Sequence, residues 1–160
     1  MADRIDFFRY CETSVCSKNR FGLCDPRTQT PAYIDFCNFD SWIAVVENDL
    51  EKEIGFLAVD HNVPFPVDKK RCDALLFDKE MLLFVELKKQ RGSWLPEALV
   101  QLTDTVEFFK ENHDVSVYKN RKAYACNKCH PNFNFSYKEY MQDFRKRHGF
   151  ILRISTEIKI

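Results

Sequence analysis

A chain of 160 residues suits a single domain and is long enough to bury one sizeable core. Lys plus Arg and Asp plus Glu each total 24, so the formal net charge is zero. That excludes a protein coating nucleic acid through bulk charge, while leaving room for a local basic groove. Four Gly and six Pro are too few for a linker-rich chain. No apolar run approaches the ~20 residues of a membrane span, so no membrane partner is expected. The N-terminus MADRIDFFRY carries charges where an export signal would be apolar, which points to the cytoplasm. Seven Cys at irregular spacing then read as reduced thiols rather than a disulfide framework.

Residues 1–40 show no clear period. Cys11, Cys16, Cys24 and Cys37 stand among polar and aromatic residues, with one short helix over 5–10. From Ser41 the pattern sharpens. Residues 42–46 and 54–59 are apolar runs of strand length, and Pro64 and Pro66 mark a loop. Residues 71–77 and 81–87 read as two strands separated by a charged turn. Ser93 is placed to cap a helix running to Asn112, with Pro96 in its first turn, where a missing N–H is tolerated. Leu95, Ala98, Leu99, Leu102, Val106 and Phe109 form the apolar stripe of that helix. Residues 121–126 read as a further strand. Ser136 with Glu139 three residues on forms a capping box, Tyr137, Tyr140, Met141 and Phe144 give the next helix its apolar face, and Gly149 ends it. The tail alternates, with Phe150, Leu152, Ile154, Ile158 and Ile160 on one parity, as in a half-buried strand. The expected class is α/β: a mixed central sheet flanked by helices, in one domain over residues 1–160.

The segment RCDALLFDKEMLLFVELKK, residues 71–89, carries the chemistry. Glu86 and Lys88 share a strand face with Leu82 and Phe84, while Leu83, Val85 and Leu87 take the other, so both faces read as buried. Charges are seldom buried without a partner or a metal. A turn leaving Asp78 opposite Met81, or a four-residue loop with Phe77 opposite Leu82, gives the same register. That register sets Asp73 across from Glu86, with Cβ atoms roughly 5 Å apart. Lys-Glu is a poor two-residue turn sequence, which favours the longer loop. Two carboxylates so close stay ionised only near strong positive charge, and a hard cation, Mg²⁺ or Mn²⁺, fits oxygen ligands. Lys88 is then placed to act on an attacking water or on charge developing at a phosphate. The plainer reading is a buried salt bridge between Lys88 and one of the carboxylates.

Asp73 followed by Glu86-Leu87-Lys88 and then a helix resembles the PD-(D/E)xK nuclease superfamily, with its restriction-endonuclease-like fold. The resemblance covers residues 42–126, leaving 1–40 as an N-terminal extension and 127–160 as a C-terminal helix and strand. Cys72 stands where the name-giving Pro would be. The resemblance implies a Mg²⁺-dependent hydrolase cutting DNA, with Asp73 and Glu86 as metal ligands and Lys88 as the catalytic lysine. It implies a helix glutamine near the metal, for which Gln101 stands one turn before Thr105; an ordinary solvated helix position explains Gln101 equally well. It also implies an upstream acid. Glu47 is the best candidate there, although a surface glutamate accounts for it as readily. Some members are catalytically silent, so an inactive module binding nucleic acid or a protein is the alternative.

Lys70, Arg71, Lys89 and Arg91 flank this segment and suit phosphate contacts, and Trp94 could stack on a base or simply pack. The partners expected are DNA first and RNA second, with a homodimer or larger complex left open. Cys126-Asn-Lys-Cys129-His130 spells CxxCH. A haem reading needs export, a zinc reading needs further ligands, and the plain reading makes Cys126 a small buried strand residue with Cys129 in a loop.

Overall fold

The computed structural model describes residues 3–10, 14–26, 29–130 and 134–160. Cys11 lies outside them. In chain order the elements are α1 (Phe7–Tyr10), β1 (Ser14–Cys16), β2 (Arg20–Cys24), β3 (Tyr33–Asp35), β4 (Ala44–Glu47), β5 (Ile54–Ala58), β6 (Ala74–Phe77), β7 (Met81–Lys88), α2 (Leu95–Asn112), β8 (Asn120–Asn127), α3 (Lys138–His148), β9 (Ile151–Ile154) and β10 (Glu157–Lys159). They form two mixed sheets, one ordered β1-β5-β6-β7-β8-β9 and the other β10-β4-β2-β3. In the first sheet β1, β5, β6 and β7 run antiparallel, and β7, β8 and β9 run parallel.

β7 organises the molecule. All eight of its residues are buried, because both faces are covered. Period-two alternation sends Leu82 and Phe84 into a core with Leu102, Val106 and Phe109 of α2 and Phe150 before β9. Leu83, Val85 and Leu87 enter a second core with Phe21, Leu23, Val46 and Ile158 of the other sheet. The result is helices on sheet on sheet. No helix among the described residues is long and apolar enough to cross a membrane.

The hairpin register follows the turn. Ala74 pairs with Val85, Leu75 with Phe84, Leu76 with Leu83 and Phe77 with Leu82. Asp78 tightens the connection: its N–H donates to Met81 O at 3.0 Å, and its Oδ1 accepts from the N–H groups of Glu80 (2.7 Å) and Met81 (2.6 Å).

Three local expectations are corrected. The tail is two strands rather than one. Leu152 and Ile154 pack in the first core and Ile158 in the second, because β9 pairs with β8 and β10 crosses to pair with β4. Ser93 does not cap α2; the cap is Trp94, with no side-chain bond, and Ser93 O accepts from Gln90 Nε2 at 2.8 Å. Ser136 forms no capping box either, since its hydroxyl donates to Asn134 Oδ1 at 3.0 Å, one turn before α3 begins. Gly149 does end α3, in the left-handed region at φ 73°, where it costs no Cβ strain.

Candidate active site

The site lies where β6 begins and β7 ends. Asp73 precedes the first paired residue of β6, and its backbone is tied on both sides: Val59 N–H donates to its carbonyl at 2.9 Å, and its own N–H donates to Val85 O at 3.1 Å. Its carboxylate turns onto the neighbouring strand, where Oδ2 accepts from Leu87 N–H at 2.7 Å. The side chain therefore satisfies a buried β7 donor at the point where the regular ladder stops.

Glu86 and Lys88 lie two residues apart on β7 and point to the same face. Lys88 Nζ is 3.2 Å from Glu86 Oε2 and 3.6 Å from Oε1 of Glu97 in the first turn of α2. The Glu86 side chain is 2% exposed and that of Lys88 11%, so this ion pair is shielded from water in a way surface pairs are not. Glu86 Oε1 is buried and meets no hydrogen-bond donor, and the Glu86 carboxyl lies within hydrogen-bonding reach of the Asp73 carboxyl.

α2 closes the site from above. Thr105 Oγ1 accepts from Cys72 N–H at 2.7 Å and donates to Gln101 O at 2.7 Å. One turn earlier, Gln101 Nε2 donates to Arg71 O at 3.3 Å, while Gln101 Oε1 is buried without a partner. The glutamine is thus held against the strand leading into Asp73, not left as a solvated helix position.

Electrostatically the site is short of positive charge. Burial raises Asp73 to about 6 despite the Leu87 N–H bond, with Asp25 and Asp60 adding to the rise. Burial and then Asp73 push Glu86 well above the carboxylate range, against the pull of Lys88. One lysine does not compensate two desolvated carboxylates. A pH dependence follows. Each folded carboxyl holds its proton more tightly than the unfolded chain does. The stability this gives is complete below about 4, the unfolded value, and is lost as pH rises through about 6 for Asp73. The melting temperature of Asp73→Asn minus that of wild type, measured in EDTA, should therefore grow as pH climbs from about 4 to above 6. A pH-independent difference would refute the charge balance described here.

The donor set suits a hard cation. Among the described residues no three His, Cys, Asp or Glu side chains form a ready-made metal cluster. Mg²⁺, however, is commonly held by one or two carboxylates together with water and substrate phosphate. The neighbouring Asp73 and Glu86 carboxylates fit that pattern, and the two buried oxygens without a donor, Glu86 Oε1 and Gln101 Oε1, would each gain a cation as partner.

Other sequence candidates distribute differently. Glu47 is not assembled here: it lies on β4 of the second sheet and ion-pairs with Arg20 on β2 at 3.4 Å. After Glu86, the acids that act on Asp73 are Asp25, just after β2, and Asp60, just after β5. Asp60 also pairs with Arg71 at 3.2 Å. Sequence reading missed both; Asp25 followed by Pro26 at the end of the apolar run RFGLC was the available signal. Trp94 is buried in the α2 core and presents no ring for stacking. Arg71 divides its guanidinium between Asp60, Val63 O and the Phe65 ring. Lys70, Lys89 and Arg91 are exposed beside the site. In the CxxCH segment, Cys126 is wholly buried at the end of β8 and its thiol is pushed far up by burial, whereas Cys129 is exposed. No protein family, curated protein or solved structure compared with this chain matches it.

Proposed function

We propose that this chain is a Mg²⁺- or Mn²⁺-dependent nuclease hydrolysing DNA phosphodiesters, built on a restriction-endonuclease-like version of the α/β fold. The observation that carries the reading is the buried trio of Asp73, Glu86 and Lys88: two neighbouring carboxyls set against one another, with a single lysine to offset them. A purely structural ion pair would be expected to satisfy its own acceptors.

Asp73, Glu86 and Gln101 would hold the cation. When bound, it supplies Lewis acidity that makes water a better nucleophile and polarises the phosphodiester. Lys88, anchored by Glu86 and Glu97, orients the attacking water and balances negative charge growing on the phosphate. α2 and the sheet exclude bulk water around Glu86, which strengthens these interactions. Lys70, Lys89 and Arg91 supply sequence-independent phosphate contacts along the rim.

The test is cleavage of plasmid and linear DNA by the purified protein. Cutting should require Mg²⁺ or Mn²⁺ and stop with EDTA. Cleavage persisting in EDTA would defeat the mechanism. The second reading, a silent module that binds DNA or a protein, draws on the ion pair between Lys88 and Glu86 that already offsets part of the site's charge. Wild-type protein that neither binds Mg²⁺ nor cuts would select it.

A further inference from the structure

We propose that a pocket on the second-sheet side of this edge takes one unpaired nucleotide of the bound strand, its base against Phe39 and its phosphate between Arg20 and Lys128. The inference deepens the nuclease reading and rests on it for the identity of the strand. The pocket holds about 400 Å³, room for a single base with its phosphate and far too little for a duplex.

Its back wall is rigid. Trp42 lies flat over Gly22 of β2, so close that a Cβ on Gly22 would sit 2.1 Å from the ring. Trp42 Nε1 donates to Asp35 Oδ2 at 2.7 Å, which fixes the ring's rotation. Phe39 meets Trp42 edge-on, with centroids 4.7 Å apart at 84°, yet is itself 64% exposed. A core role does not explain so exposed a ring held in so defined a pose. The same connecting segment exposes Phe36, and β3 before it exposes Tyr33. Exposed, fixed aromatic faces of this kind stack unpaired bases with little regard to sequence.

Two cations line the pocket. Arg20 lies 5.9 Å from the Trp42 ring centroid and uses Nε for Glu47; its guanidinium carries five donors in all. Lys128 Nζ donates to Asp40 O. An aromatic wall with two cations matches a planar base carrying a phosphate, whereas an acidic peptide would leave the aromatic wall unused.

One residue of the pocket is tied to the backbone of the candidate active site. Lys128 follows Asn127, the β8 partner of Lys88, and its N–H donates to Lys88 O at 2.9 Å. At the end of β2, Cys24 is within electrostatic reach of Lys128, and the next residue, Asp25, is within reach of Asp73. A strand passing over the ends of β7 and β8 would meet both places.

The experiment measures binding in EDTA, by anisotropy, of labelled oligo-dT alone and annealed to oligo-dA. Wild type should prefer the single strand. Phe39→Ala should weaken oligo-dT binding roughly 5- to 100-fold and leave duplex binding unchanged. Lys128→Gln should reduce the salt slope for oligo-dT by about 0.7. Phe39 is mostly exposed, so an unchanged melting temperature is expected and verifies folding. Wild-type affinity for oligo-dT in both variants, equal affinity for the duplex, or displacement by poly-glutamate as effective as by unlabelled oligo-dT would each overturn the proposal. Cleavage with Mg²⁺ is scored separately: a protein that binds oligo-dT through Phe39 but cuts nothing keeps the pocket and loses the nuclease.

Discussion

Asp73→Asn and Glu86→Gln should each abolish cleavage while raising the melting temperature of the metal-free protein at pH 8. The two effects share one cause. Both carboxylates are buried, Glu86 is pushed up by burial and by Asp73, and Lys88 offsets only part of that charge. A neutral amide at either position removes a desolvated charge and the repulsion between the pair. Asn can still accept from Leu87 N–H as Asp73 Oδ2 does. Each substitution also removes a charged ligand from the cation site, so turnover should fall ~10³-fold or more, the scale of losing several kcal/mol of metal-derived stabilisation. Adding Mg²⁺ should raise the wild-type melting temperature, by about 2.7 kcal/mol of stability at 100 times its dissociation constant, and leave both variants unmoved. The sign of the metal-free shift separates the readings. In a mere buried salt bridge, Glu86→Gln would instead lower the metal-free melting temperature, because Lys88 would keep only Glu97. An equal Mg²⁺ response in Glu86→Gln and wild type would remove Glu86 from the cation site.

Lys88→Met should act in the opposite sense on stability. Methionine keeps most of the aliphatic stem, so packing between β7 and α2 is preserved while the charge at 3.2 Å from Glu86 is lost. Metal-free protein should lose stability as pH rises and Glu86 ionises, approaching about 3–5 kcal/mol where the carboxylate is buried without a counter-charge. Mg²⁺ should bind at least as tightly as in wild type and restore much of that loss. Turnover should nonetheless fall on the order of 10²-fold, since neither the attacking water nor the developing phosphate charge has its lysine. Isothermal titration with Mg²⁺, melting curves and single-turnover cleavage on this one variant test all three statements. A variant that binds no Mg²⁺, or that cuts at the wild-type rate, would show that Lys88 has a different role.

Where side-chain period met backbone geometry, the chain could be read directly. Two apolar runs joined by a short charged turn admit few registers, and a single-residue slip would move Glu86 and Lys88 to the other face. Hence the pairing of Phe77 with Leu82 was legible from residues 71–89 alone, whereas the regular ladder stops at Ala74 and Asp73 reaches the next strand through its N–H to Val85 O and its carboxylate on Leu87 N–H. The stripe of α2 was equally plain, because it buries against one face over eighteen residues. Helix starts were less legible: Ser93 and Ser136 have the chemistry of caps, but α2 starts after Trp94, and the Ser136 hydroxyl bonds Asn134 in the turn before α3. Only the tertiary structure decided how the ends of the chain are used. β2 and β3 sit among Cys, Pro and aromatic residues with no period, and they become strands because β4 and β10 complete a second sheet over the back of β7. The same long-range pairing splits the tail at Ser155 and Thr156, where alternation by itself cannot signal a change of sheet. It also sends Glu47 to Arg20 and brings Asp25 toward Asp73, contacts between residues far apart in sequence that local pattern does not encode.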